Sequence, residues 1–202
     1  MLLQERVQGW RVVLASGSPR RHELLKGLDI PFTVEYNPNV DEQIDPSLPP
    51  EAVPQALAQQ KSLAFPRPLA PDELLITADT LVYCQGNILG KPHSRDEAIW
   101  MLQLLSGHTH TVWTGVFLRT VRSTHGFTAA TAVTFSLLSQ EEIEYYVDTY
   151  KPYDKAGAYG AQDWIGYVGI KHIDGSYFNV MGLPVQMLYR HLEEFLKSPL
   201  GK

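Results

Sequence analysis

Near its start the chain carries an apolar run, Val12-Val13-Leu14, followed by the small residues Ala15-Ser16-Gly17-Ser18 and then by Leu24, Leu25 and Leu28 at helical spacing. This order predicts a strand, a tight loop and a helix, with Ser18 as N-cap and Pro19 at the first helical position. Residues 32–36 alternate as a second strand, and residues 37–50, with four prolines and the acids Asp41, Glu42 and Asp45, form a loop. A helix is expected from about Glu51 to Phe65, where Pro66 and Pro68 stop it. Residues 74–84 (LLITADTLVYC) are apolar almost throughout and read as a buried strand, turned at Gln85-Gly86-Asn87 into Ile88-Leu89-Gly90. Ser94 and Glu97 make a capping box for a helix closed by Gly107. Alternating strands at 109–121 and 127–138 are joined as a hairpin at 123–126. A second capping box, Ser139 and Glu142, opens a helix ending near Tyr150. Residues 151–183 are rich in glycine and aromatics without clear periodicity, which predicts a functional loop. Pro184 then starts an amphipathic helix with Val185, Leu188, Leu192 and Leu196 on one stripe. Alternating strands and helices give an α/β class, with no internal repeat and no low-complexity segment.

Composition narrows the class. At 202 residues and 44% hydrophobic, one domain spanning 1–202, with its core at about 11–197, is expected. A net charge of −5 gives no global field for a nucleic-acid polymer or an anionic membrane, so any polyanion must meet a local cluster of cations. The single cysteine, Cys84, excludes an intrachain disulfide and a cysteine-rich zinc site and fits a reducing cytoplasm. Neither a signal-peptide core nor an apolar run long enough to span a membrane is present. A soluble cytoplasmic protein is expected.

Candidate chemistry sits at a few unusual positions. Two adjacent cations, Arg20 and Arg21, open a helix whose N-terminus disfavours positive charge. The loop Ser16-Gly17-Ser18, the helix N-terminus and two guanidinium groups together make a phosphate site; the alternative is one exposed arginine and one paired with Glu23 or a loop acid. Lys61 shares a stripe with Leu57 and Ala64 and either points inward or reaches out past it. Asp79 lies in a strand too apolar to hold an unpaired carboxylate. It either caps a turn or pairs with a buried arginine, or it serves a ligand site at the carboxyl ends of the strands. Residues 86–92 (GNILGKP) imitate a P-loop but are one residue short, with Pro92 where a Ser or Thr would hold magnesium; Lys91 can still meet a phosphate. His108 and His110 fall on one strand face without a third ligand and read as surface or core residues. Residues 155–162 (KAGAYGAQ) combine a cation, small residues and an amide suited to a base edge, or else form a glycine-rich surface turn.

Taken in order, Ala15 to Arg21, Val40-Asp41-Glu42, Lys61, Ala78 to Val82, Gly90-Lys91-Pro92, Lys155 to Tyr159, and Gly175-Ser176-Tyr177 with Gly182-Leu183-Pro184 resemble the Maf family of nucleoside triphosphate pyrophosphatases, over nearly the whole chain. The resemblance implies a single α/β domain with a mixed sheet flanked by helices and a deep central cleft, similar to inosine triphosphate pyrophosphatases. It implies hydrolysis of dTTP and UTP, and of modified pyrimidine triphosphates, to monophosphate and pyrophosphate, with a divalent cation, Mg²⁺ or Mn²⁺. Asp79 matches the catalytic base, and Arg21, Thr80 and Gln162 mark the dTTP/UTP branch. Ser16, Arg20, Lys61, Lys91 and Lys155 are the expected triphosphate contacts, and Glu42 with Asp79 the expected metal ligands. Asp163-Trp164 stands where the family usually has glycine. A homodimer is expected on the resemblance alone. The family's association with septum formation offers a second reading, a nucleotide-binding regulator of cell division without essential turnover. Against it, binding alone gives no reason for a carboxylate beside a polyanion. A non-specific acid phosphatase lacks the usual histidine or cysteine nucleophile.

Overall fold

A computed structural model describes residues 1–197; the last five residues of the expected domain, 198–202, lie outside the described residues. Its strands are β1 (Arg11–Leu14), β2 (Phe32–Val34), β3 (Glu73–Cys84), β4 (Asn87–Leu89), β5 (Thr109–Arg119), β6 (Thr124–Phe135) and β7 (Ile170–Asp174). They form one mixed sheet in the order β2-β1-β3-β5-β6-β7, with β4 paired to β3. β1 runs parallel to both β2 and β3, Val12 standing opposite Phe32 and Leu74. The helices are α1 (Leu3–Arg6), α2 (Pro19–Lys26), α3 (Val53–Leu63), α4 (Arg95–Leu105), α5 (Gln140–Tyr150), α6 (Trp164–Gly169), α7 (Tyr177–Met181) and α8 (Val185–Phe195). None of the described helices is long and apolar enough to cross a membrane.

The described residues divide into two compact units. The first comprises Met1–Asp79, Thr114–Ala129 and the residues from Gly182 onward; the second comprises Thr80–Trp113 and Ala130–Met181. In the first unit, α8 buries Val185, Leu188 and Leu192 as its stripe requires, and α1 docks against it, with the Leu3 N–H donating to the Tyr189 hydroxyl at 3.3 Å. The buried Glu73 carboxylate accepts two hydrogen bonds from Arg67, at 2.7 and 2.9 Å, which holds its pKa below the usual carboxylate value despite burial. Thr77, fully buried on β3, donates to the Ala58 carbonyl of α3 at 2.6 Å, fixing that helix against the strand.

In the second unit Leu102, Phe135, Tyr146 and Ile165 anchor the apolar core. Cys84 is buried there, its thiol pushed up by burial and directed to the Leu104 carbonyl at 3.7 Å. His110 lies in the same core, 2.7 Å from the Tyr159 hydroxyl and edge-on to Phe135. Burial pushes its imidazole down to about 4. An unfolded chain would protonate this group near 6.5, so it binds more protons than the folded chain between those values. The stabilisation from neutral His110 is therefore complete above about pH 6.5 and lost as pH falls toward 4, up to about 3 kcal/mol. The thermal midpoint should fall over that window, and His110→Gln should flatten the fall; an unchanged slope in the variant would sink this account.

Several expectations need correction. The second strand is only Phe32–Val34, with Thr33 and Val34 exposed, because β2 is a sheet edge with no layer over it there. Residues 151–183 are not one loop: they hold a 3-10 turn (Ala156–Ala158), α6, β7 and α7. β7 leaves little mark in the sequence, because an edge strand held by pairing to β6, with a register shift at Thr134/Phe135, needs little alternation of its own. At Ser94 the hydroxyl accepts from the Glu97 N–H as a capping box requires, but the Glu97 carboxylate accepts from the His93 N–H at 2.6 Å instead. The Ser139–Glu142 box is complete. His108 precedes β5 and is exposed, so it does not share a face with His110.

Candidate active site

Beyond Leu14 the backbone still follows β3, the Ala15 N–H donating to Ile76 at 2.8 Å, and the chain then breaks into the Ser16-Gly17-Ser18 loop at the carboxyl edge of two parallel strands. Ser16 is buried, and its hydroxyl accepts from the Ser18 N–H at 3.3 Å. Ser18 occupies the N-cap of α2 but makes no side-chain cap bond, and Pro19 follows as expected. Gly17 accommodates a neighbour: a Cβ there would stand 2.8 Å from the Tyr36 ring. Arg20 lies half-buried in the first turn. Arg21 turns inward, donating through Nε to the Gly182 carbonyl at 2.8 Å and through Nη1 to the Ala78 carbonyl at 2.7 Å and the Ser16 hydroxyl at 3.5 Å. Burial lowers its pKa, with Asp79 opposing, Arg20 adding and Glu42 opposing; a guanidinium stays charged through such a shift. The positive charge that the sequence places in an unfavourable helix turn is thus fixed beside Asp79 by acceptor oxygens from three segments.

Asp79 lies on the same face of β3 as Thr77, two residues away. One turn along α3 from Ala58, the residue that meets it is Lys61. The two side chains pair directly, and Lys61 Nζ lies 3.1 Å from Glu42 Oε2 of the proline-rich loop. Lys61 thus points inward, as the Leu57 stripe allows. Asp79 is nearly buried and Glu42 more open, so two carboxylates of unequal exposure converge on one ammonium group.

The remaining sequence candidates belong to the second unit. Thr80 is half-buried on β3 and Lys91 exposed after β4. Lys155 is largely buried, its ammonium donating to Asp154 at 2.8 Å and lying 3.6 Å from Asp163. Gln162, in the turn before α6, has its amide oxygen buried without a hydrogen-bond partner among the described residues. The structure therefore brings together Ser16, Arg21, Glu42, Lys61 and Asp79 in one unit, and Lys155 with the turn bearing Gln162 in the other.

The model for Maf-like proteins matches residues 11–195. The chain belongs to the Maf family. It is 51% identical over 190 residues to a dTTP/UTP pyrophosphatase of Phocaeicola vulgatus, covering 94% of this chain and 98% of the relative. It is 50% identical over 185 residues to the dTTP/UTP pyrophosphatase of Bacteroides thetaiotaomicron, covering 92% and 96%. A HAM1 protein from Coxiella burnetii of known structure matches with a TM-score of 0.42 at 13% identity, covering 92% of this chain and 99% of that one.

Reading the Maf chain residue by residue misses three supports of these clusters. His22 Nε2 lies 2.6 Å from the Ser16 carbonyl and braces the loop; its only signal is its place one helix turn after Ser18. Gly115 of β5 lies under the start of α3, where a Cβ would overlap backbone atoms of Pro54 and Gln55; a glycine amid the apolar residues of a strand signals such an approach. Tyr146 of α5 and Asp163 join through a hydrogen bond of 2.8 Å, a pairing across 17 positions that no local pattern announces.

Proposed function

We infer that the chain hydrolyses dTTP and UTP to the monophosphate and pyrophosphate. The observation that carries this is Asp79: a nearly buried carboxylate on β3, held by Lys61 and acting on the buried charge of Arg21, in a chain half identical to relatives named for that reaction. Attack on the α-phosphorus forms a bond from a water oxygen to phosphorus and breaks the bond to the oxygen bridging toward the β-phosphorus. Asp79 takes the proton from that water, and pyrophosphate leaves with the bonding electrons. Lys61 and the charge of Arg21 stabilise the negative charge gathering on the phosphoryl oxygens.

Glu42 and Asp79 also fit a divalent cation. Two carboxylates already converge on one positive centre, and Mg²⁺ typically takes one or two carboxylates, completing its shell with water and substrate phosphates. When bound, the ion supplies charge neutralisation and a more acidic water. In the second unit, Lys155 and Lys91 supply phosphate contacts, Thr80 a hydroxyl beside the base residue, and Gln162 an amide for the O4 and N3–H edge of uracil or thymine. We place the enzyme in the cytoplasm, consistent with its unpaired Cys84.

Hydrolysis of UTP should release pyrophosphate and UMP in equal amounts, and EDTA should abolish it. Measuring pyrophosphate and orthophosphate separately decides the matter: orthophosphate with UDP as first products would refute the reaction, and full activity in EDTA would refute the metal.

A further inference from the structure

Asp163 is an acid on the segment that carries Lys155 and Gln162, where a carboxylate would repel any polyanion. Its contacts explain why it is there. It occupies the N-cap position of α6 without making a side-chain cap bond. Oδ2 instead accepts the Tyr146 hydroxyl at 2.8 Å and lies 3.6 Å from Lys155 Nζ. The Tyr146 oxygen in turn accepts the Gly160 N–H at 3.1 Å, and the Gly160 carbonyl accepts the Asp163 N–H at 3.0 Å, closing residues 160–163 into a turn. Gly160 leaves room for the carboxylate, since a Cβ would come within 2.6 Å of Oδ2. Tyr146 is fully buried on a helix whose capping box is complete, so this anchor is rigid. Burial, reinforced by the bond to Asp163, pushes the phenol well above its ordinary value, which keeps it a donor. Gln162 rides on the turn with its buried oxygen unmatched by any donor among the described residues, a state that buried acceptors rarely keep without a ligand or water.

We propose that Asp163 is a positioning residue for pyrimidine triphosphate recognition: through Tyr146 it fixes the turn that presents Gln162, and through its charge it holds the Lys155 ammonium. The proposal rests on the pyrimidine reading above and assigns Asp163 no contact with substrate. It also accounts for an acid on a segment that carries a phosphate-facing cation, since Tyr146 and Lys155 provide Asp163 with a donor and a counter-charge.

Binding rather than turnover tests it, with the magnesium complexes of α,β-methylene-UTP and α,β-methylene-GTP measured by calorimetry in the wild type, Asp163→Ala, Asp163→Asn and Tyr146→Phe. Asp163→Ala and Tyr146→Phe should narrow the preference for the uridine analogue about five- to tenfold, the worth of one hydrogen bond, and should speed amide exchange at Gly160. Asp163→Asn keeps an acceptor for Tyr146 and so should retain most of the preference. The two isosteric variants keep the test open if Asp163→Ala fails to fold. A wild-type preference in Tyr146→Phe, or equal loss of preference in the Asn and Ala variants, would overturn the proposal. A wild-type protein that prefers the uridine analogue but releases no pyrophosphate from UTP would sink the reaction and leave the positioning role standing. One that binds neither analogue would overturn both.

Discussion

Asp79→Asn is expected to keep the fold and lose turnover by about 10²- to 10⁴-fold, the usual worth of a general base. The substitution preserves the volume of a nearly buried side chain and leaves an amide oxygen to accept from Lys61, which keeps its second partner in Glu42. It removes the one property that water activation needs, a site for the proton. It also removes the charge that opposes burial at Arg21, so a modest loss of stability should accompany the loss of rate. The measurements are kcat for UTP and a thermal midpoint on the same preparation. Wild-type kcat in a folded variant would end the assignment of Asp79 as base, and a variant that fails to fold would make Asp79 a structural residue.

Gly115→Ala should have the largest effect on stability, about 3 kcal/mol, at the upper end of the usual cost of overpacking. The added methyl would meet backbone, not a side chain that can swing aside, because Pro54 and Gln55 cross directly over Gly115. For a chain of this length the thermal midpoint should drop by roughly 6 to 12 °C. Relief requires α3 to lift, and α3 carries Lys61; activity should therefore fall further than the unfolded fraction explains. Comparison of kcat/KM well below the new midpoint with that of the wild type separates the two effects. A variant with wild-type stability would show that the helix does not depend on this seat.

The parts of the site visible in the sequence are those where local chemistry conflicts with local pattern. Asp79 stands out because its strand is otherwise apolar, and Lys61 because its stripe is; each anomaly is resolved by the other, through a contact between β3 and α3. The arginine pair stands out in the same way, yet its resolution was not legible. The carbonyl acceptors of Arg21 come from residues 78 and 182, and no spacing rule points from a helix turn to groups so far along the chain. Strands that depend on burial on both faces, such as β3, are legible in the sequence nearly to the residue, whereas β7, an edge held by its neighbour, is not. Tyr146 illustrates the same limit: on α5 it reads as one more apolar position, and only the fold brings its hydroxyl to Asp163.

Cys84 has a practical consequence. It is the chain's only cysteine, and it is sealed in the core with its thiol held protonated by burial, so the native enzyme should be inert to maleimides and to mild oxidants. A cysteine introduced at an exposed position such as Tyr167 or Leu137 would then be the sole reactive thiol. A fluorophore or spin label can be attached there without first engineering out the native residue, which would let nucleotide binding be followed spectroscopically in an otherwise unaltered protein.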